Sequence, residues 1–129
     1  MNERYIRQTM IPEIGEAGQE KLKNAKVLIV GIGGLGSPIS LYLTAAGVGQ
    51  IGLIDDDIVS RSNLQRQILY TEAEIGQSKV ECACRRLSAL NSSTRFETYL
   101  NRFTSDNADR LVSAYDIIID GCDNAATRY

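Results

Sequence analysis

The sequence predicts an α/β fold in which a doubly wound, mainly parallel sheet carries helices on both faces. Two observations indicate this class. Short runs of Val, Ile and Leu alternate with segments of helical periodicity along the chain, and the first run leads directly into the glycine-rich segment 31–36. The last apolar run ends at Asp120, nine residues before Tyr129, the last residue of the sequence. We therefore expect a Rossmann-like sheet that is truncated after about its fourth strand.

The predicted elements follow one another in the order of such a fold. Strands are predicted at residues 26–30, 50–55, 96–100 and 116–120. Helices are predicted at residues 16–24, 38–46, 78–90 and 107–114, with a short helical turn at 63–67. The first helix precedes the first strand, so we expect it to pack outside the core. Gly47 and Gly49 stop the second helix, and Ser78 with Glu81 forms a capping-box pattern for the third.

Composition excludes several classes of function. The chain has 14 basic and 16 acidic residues, a net charge of −2, and no histidine. Neither nucleic acid nor an anionic membrane is therefore an expected partner, and no imidazole base is present. It has no run of 18 apolar residues, and its first residues do not resemble a signal peptide. We expect a cytoplasmic protein.

The three cysteines, Cys82, Cys84 and Cys122, predict reduced thiols rather than a disulfide or metal site. They form no Cys-x-x-Cys pair, so zinc is not expected within these residues. Helical periodicity places Cys84 on the apolar face of the third helix and Cys82 off that face.

The glycine-rich turn predicts a cradle for nucleotide phosphates. Gly31 allows the tight turn, Gly33 lets the backbone approach a phosphate, and Gly36 lets the helix pack closely on the strand. Asp55 ends the next strand 19 residues after Gly36, which is the spacing of a ribose hydroxyl acceptor. The alternative is a turn whose glycines serve packing alone. No lysine follows Gly36, so a cation for the phosphates must come from elsewhere.

Three basic residues are candidates for that cation: Arg61, Arg66 and Lys79. Arg66 follows the second strand at the sheet edge that carries the glycine turn, and a guanidinium matches phosphate oxygens. The alternative is a solvent-exposed arginine. Lys79 lies in the first turn of its helix, where a cation opposes the helix dipole unless an anion is nearby.

Four aspartates are predicted near the carboxyl ends of strands: Asp55, Asp57, Asp120 and Asp123. Carboxylates there are suited to hold Mg²⁺ together with substrate phosphates. Aspartates also cap helices and form turns, and the pattern alone leaves the two interpretations open.

Together these segments resemble the ThiF/MoeB family, the adenylyltransferases that activate ubiquitin-like sulfur carriers and are related to ubiquitin-activating enzymes. The most specific segment is Ser62-Asn63-Leu64-Gln65-Arg66-Gln67. The other segments of similarity, in order, are residues 4–8, 31–37, 45–49, 55–59, 76–79 and 120–124. The resemblance thus covers nearly the whole chain. It implies an N-terminal helical arm at 1–25 and a Rossmann-like ATP-binding domain at 26–129.

The resemblance implies a role for each matching residue. Gly34 would contact ATP, Asp55 its ribose, and Asn63, Arg66 and Lys79 its phosphates. Asp123 would coordinate Mg²⁺, and Arg7 would reach the active site of a neighbouring protomer. The full implied nucleotide site is Gly31, Gly33, Gly34, Gly36, Asp55, Asp57, Asn63, Gln65, Arg66, Lys79, Asp123 and Asn124, with Arg7, Arg66, Lys79 and Asp123 as its catalytic residues.

The implied reaction is attack by the C-terminal glycine carboxylate of a sulfur-carrier protein on the α-phosphorus of ATP, in thiamin or molybdenum-cofactor biosynthesis. The implied assembly is a homodimer. Family members continue beyond the point matched by Tyr129, and the continuation carries carrier docking, zinc-binding cysteines where present, and any sulfur-transfer cysteine. Cys122 is not that cysteine. Two alternatives remain: an NAD-dependent oxidoreductase domain, and a non-catalytic dimerisation or carrier-binding module of the same fold.

Overall fold

A computed structural model describes residues 15–33, 36–60, 69–100 and 104–121. Its centre is a four-stranded parallel sheet in the order β3-β2-β1-β4. The strands are β1 (Lys26–Val30), β2 (Gln50–Ile54), β3 (Arg95–Tyr99) and β4 (Ile117–Asp120). The predicted α/β class and parallel sheet are confirmed, and every strand end lies within one residue of its predicted position. The predicted turn at 63–67 lies outside the described residues.

In the described ranges, four helices accompany the sheet: α1 (Gly15–Asn24), α2 (Gly36–Ala46), α3 (Lys79–Leu90) and α4 (Ser105–Ala114). A short 3₁₀ turn, Glu72–Glu74, precedes α3. Helix α2 ends as the glycine at residue 47 predicted: Gly47 has φ +95°, and the Val48 amide donates to the Leu43 carbonyl at 3.2 Å. None of the α1 residues is fully buried, although Leu22 packs against the core.

The core lies on both faces of β1, which explains why that strand is apolar from Val27 to Val30. Val27 and Ile29 belong to one buried cluster, which α2 and α3 cover. Leu28 and Val30 belong to the other, which Leu111 of α4 and its neighbour Tyr115 close. Helices therefore lie on both faces, as predicted. A parallel strand buried on both sides loses the polar–apolar alternation of a half-exposed strand.

The predicted capping box at Ser78 is wrong. Ser78 is the N-cap of α3, but its hydroxyl makes no capping hydrogen bond. The first amide of the helix, that of Lys79, donates instead to the Asp57 carbonyl at 3.1 Å, and Ser78 itself pairs with Ile58 in an isolated β-bridge. A backbone carbonyl thus accepts a hydrogen bond from one of the free amides at the start of the helix, as a capping side chain would. Within the described ranges the buried Ser78 Oγ has no hydrogen-bond partner.

The predicted orientation of the two helical cysteines is also wrong. Cys82 is fully buried, whereas Cys84 is half-buried. Helical periodicity identified the face of α3 that meets the sheet, but the chain preceding α3 covers a second side: Gln77 Oε1 lies 3.8 Å from the Cys82 Sγ. Burial, followed by the nearby Glu74 carboxylate, raises the pKa of Cys82 to about 11.

Candidate functional site

The glycine turn lies where the strand order reverses. From β1 the chain adds β2 and β3 on one side and β4 on the other. The chain connections therefore lead to opposite sides of the sheet at the boundary between β1 and β4. At the carboxyl end of this pair, the Gly121 amide donates to the Val30 carbonyl at 2.7 Å. Gly31 turns the chain away with φ +88°, a conformation that L side chains adopt rarely. Ligands of open α/β sheets bind in the crevice at such a point.

Three glycine backbones meet in this turn. A Cβ added to Gly36 would lie 2.0 Å from the Gly31 carbonyl oxygen. A Cβ added to Gly121 would lie 2.8 Å from the same oxygen and 2.9 Å from the Gly36 Cα. Helix α2 therefore begins in van der Waals contact with two strand ends. Sequence reasoning missed the part played by Gly121; its position directly after β4, matching that of Gly31 after β1, was the available signal.

Asp55 braces the turn from the end of β2. Its Oδ2 accepts a hydrogen bond from the Ile32 amide at 2.8 Å, and its Oδ1 accepts one from the Asp57 amide at 2.9 Å. The side chain is half-buried. Because each carboxylate oxygen accepts more than one hydrogen bond, Asp55 keeps acceptor capacity for a ligand hydroxyl at this edge.

Tyr70 contacts the other side of the same peptide group. Its hydroxyl donates to the Ile32 carbonyl at 2.7 Å, and its side chain is almost fully buried. The Ser37 hydroxyl is 3.5 Å from that carbonyl oxygen. Burial, and next the Asp55 carboxylate, raise the pKa of Tyr70 far above its ordinary value, so the hydroxyl remains a donor. Sequence reasoning missed this residue, because nothing in its local pattern distinguishes it from an ordinary core tyrosine.

Lys79 is the one predicted cation that falls within the described residues. Its side chain is only 5 % exposed, and its Nζ lies 3.1 Å from Oδ2 of Asp57, whose side chain is 61 % exposed. Asp57 Oδ1 accepts a hydrogen bond from the Ile58 amide at 2.9 Å. The ammonium is therefore drawn to the carboxyl edge by a carboxylate that remains largely in water. Among the described residues Asp57 is the ion-pair partner of this lysine, and a buried ammonium whose partner is solvated is suited to a second anion.

A chain of hydrogen bonds connects these groups. The Lys79 ammonium contacts the Asp57 carboxylate, the Asp57 amide donates to Asp55, and Asp55 accepts from Ile32 in the glycine turn. The structure thus brings together Gly31, Gly33, Gly36, Asp55, Asp57 and Lys79 at one edge of the sheet.

Seven residues of the predicted site lie outside the described residues: Arg7, Gly34, Asn63, Gln65, Arg66, Asp123 and Asn124. The described ranges contain no group of three or more side chains that could hold a metal ion. In the same ranges, no helix has the length and apolar character needed to cross a membrane. Within those ranges, Asp55 accepts hydrogen bonds from two amides and Asp57 pairs with Lys79.

Comparison with known proteins agrees with this geometry. The model of the ThiF family matches residues 5–129. The chain belongs to the ThiF family. The predicted resemblance is therefore confirmed.

Curated ThiF relatives are similar over nearly all of this chain. It is 49% identical over 127 residues to the sulfur carrier protein adenylyltransferase of Thermus thermophilus, covering 98% of this chain and 47% of the relative. It is 52% identical over 126 residues to the adenylyltransferase and sulfurtransferase MOCS3 of Culex quinquefasciatus, covering 98% of this chain and 29% of the relative. The chain thus spans less than half the length of these two relatives.

Solved structures of similar fold include nucleotide complexes. The Escherichia coli tRNA N6-threonylcarbamoyladenosine dehydratase TcdA, in complex with ATP, matches with a TM-score of 0.90 and 30% identity over 97% of this chain and 51% of that chain. E. coli MccB with ATP matches with a TM-score of 0.84 and 34% identity over 97% of this chain and 39% of that chain. These neighbours confirm the ThiF-type Rossmann-like fold.

Proposed function

We propose that this protein is an ATP-dependent adenylyltransferase that activates the C-terminal glycine carboxylate of a ubiquitin-like sulfur carrier, in thiamin or molybdenum-cofactor biosynthesis. The observation that carries the proposal is the hydrogen-bonded connection between the glycine turn, Asp55 and the buried Lys79. It offers backbone amides, a hydroxyl acceptor and a cation along one edge, in keeping with a ribose and a polyphosphate. The names of the curated relatives support the substrate class.

The chemistry requires positioning more than proton transfer. A carrier carboxylate oxygen attacks the α-phosphorus of ATP; the new P–O bond gives the acyl-adenylate as the bond to the bridging oxygen breaks and pyrophosphate leaves. A terminal carboxylate has a pKa of about 3.5, so it is already ionised when it attacks and needs no base. This suits a chain without histidine.

Charge neutralisation then supplies the main catalytic effect. Lys79 would stabilise negative charge on the phosphates, with Arg66, Asn63 and, from a neighbouring protomer of a homodimer, Arg7. Gly34, Gln65 and Asn124 would complete the nucleotide pocket. Asp123 would hold Mg²⁺, which adds charge neutralisation and orientation of the phosphates when bound.

ATP is preferred to NAD for a structural reason. The glycine turn and Asp55 suit either nucleotide. A dinucleotide pyrophosphate is satisfied largely by backbone amides at a helix start, whereas Lys79 adds a buried cation that matches the greater charge of a triphosphate. The ATP complexes of TcdA and MccB support the same choice.

The test is carrier-dependent exchange between pyrophosphate and ATP. We expect exchange with a ubiquitin-like carrier ending in Gly-Gly, and loss of exchange in Arg66→Ala with retained folding. Arg86→Ala is the matched control, because Arg86 is exposed on α3, and it should exchange like the wild type. Absence of exchange with every sulfur carrier, or tighter calorimetric binding of NAD than of ATP with Mg²⁺, would reject the proposal.

A further inference from the structure

We propose that Tyr70 is a positioning residue for nucleotide binding: its hydroxyl, acting through the Ile32 carbonyl, orients the glycine turn toward the phosphates. The inference rests on the proposed ATP site and adds a residue to it. In this role Tyr70 does not itself contact the nucleotide. It fixes the backbone that does.

The Ile32 peptide groups are held from both directions. The Ile32 amide donates to Asp55 at 2.8 Å, the Ile32 carbonyl accepts from Tyr70 at 2.7 Å, and the Ile32 side chain is fully buried. A glycine on each side leaves the flanking backbone torsions soft. The two hydrogen bonds therefore supply the restraint that the glycines lack.

The carbonyl bond determines where the next amide points. The described residues contain no cis peptide, and in a planar trans peptide the C=O and N–H bonds point in opposite directions. Drawing the Ile32 carbonyl inward to Tyr70 thus turns the Gly33 amide away from that hydroxyl. In a glycine turn that precedes a helix, an amide directed in this way is suited to donate to a phosphate oxygen.

No other described hydroxyl replaces this bond well. Ser37 Oγ lies 3.5 Å from the same oxygen, beyond the usual 2.5–3.0 Å range of an O–H···O hydrogen bond. Without the Tyr70 hydroxyl, the carbonyl of the peptide between residues 32 and 33 loses its short hydrogen bond, and ATP must restore part of the lost orientation on binding. Preorganisation of this kind appears as ligand affinity.

A matched tyrosine separates this role from general stability. Tyr115 is buried to nearly the same extent, 7% exposed against 6% for Tyr70. Its hydroxyl also makes a short contact, 2.9 Å to the Tyr99 hydroxyl. It lies in the other core cluster, however, on the α4 face of the sheet. Each Tyr→Phe change deletes one oxygen and keeps the packed ring.

The experiment compares wild type, Tyr70→Phe and Tyr115→Phe by calorimetry with ATP and Mg²⁺, at a temperature where circular dichroism shows all three folded. We expect Tyr70→Phe to bind ATP about tenfold more weakly, as one lost hydrogen bond to the site backbone implies. Tyr115→Phe should stay within about twofold of wild type. In pyrophosphate exchange the change should fall on the KM for ATP.

Wild-type affinity in Tyr70→Phe, equal losses in the two variants, or a loss confined to kcat would each overturn the inference while leaving the proposed function intact. Failure of the wild type to bind ATP would instead overturn the proposed function, and the inference with it.

Discussion

The ion pair between Lys79 and Asp57 predicts an unequal response to removing either partner. At the 3.1 Å between Lys79 Nζ and Asp57 Oδ2, Coulomb's law gives about 5 kcal/mol for an effective dielectric constant of about 20, and about 1.3 kcal/mol in bulk water. Lys79 is buried and Asp57 is largely solvated, so the interaction lies between these limits. We expect Asp57→Asn to lower the free energy of unfolding by about 1–3 kcal/mol, because the buried ammonium loses its partner.

Lys79→Met should behave differently, because it removes the buried charge and keeps an unbranched apolar chain in the same space. We expect a change in unfolding free energy of no more than about 1 kcal/mol, together with at least about a tenfold loss of ATP affinity, since hydrogen bonds to charged groups contribute about 1.5–3 kcal/mol. Urea unfolding with equal m-values measures the first quantity and calorimetry the second. A larger loss of stability in Lys79→Met than in Asp57→Asn would refute the reasoning.

Two further predictions concern backbone packing and pH. Gly36→Ala should destabilise the fold by more than about 3 kcal/mol in urea unfolding, because its Cβ would meet the Gly31 carbonyl oxygen at 2.0 Å. At an open helical position the same change stabilises by up to about 1 kcal/mol. A variant as stable as the wild type would contradict this contact. Folding raises the pKa of Cys82 from 9.0 to about 11, so the unfolded chain loses this proton first as the pH rises. The free energy of unfolding should therefore be insensitive to this thiol below pH 9. Between pH 9 and 11 it should fall by at most about 1.4 kcal/mol per pH unit. Cys82→Ala should flatten that fall, and an unchanged slope would exclude the thiol as its source.

Most of the fold was predictable because burial on both faces of a parallel sheet leaves a recognisable sequence pattern. Strands buried on both faces leave continuous apolar runs, and β1 is such a strand. Helix ends were predictable where a backbone conformation requires glycine, as at Gly47. Ser78 shows where the approach fails: a capping pattern specifies two side chains, yet the helix amide found the Asp57 carbonyl, which is 22 residues away in sequence.

Residues of the candidate site were predictable where a regular element places them, and were not where an irregular segment does. Gly31, Gly36 and Asp55 stand at offsets set by strand and helix geometry, so a local pattern locates them. Tyr70 reaches the Ile32 carbonyl across 38 residues. Cys82 is likewise buried by a loop, and loop packing has no periodicity from which to infer a contact. Contacts of this kind depend on where a segment without regular repeat folds back.

The described part of the site is built as one connected unit rather than as separate ligand contacts. Asp55 touches the glycine turn with one oxygen and the Asp57 amide with the other, and Asp57 positions Lys79. The carboxylate proposed to bind a ribose hydroxyl therefore also helps to place the glycine turn and Lys79. Because residues in one hydrogen-bond network do not contribute additively, a change at Asp55 should disturb ribose, turn and lysine together. In the proposed reaction the nucleophile is already ionised, so a site of this construction would act through preorganised dipoles and charge rather than through a base.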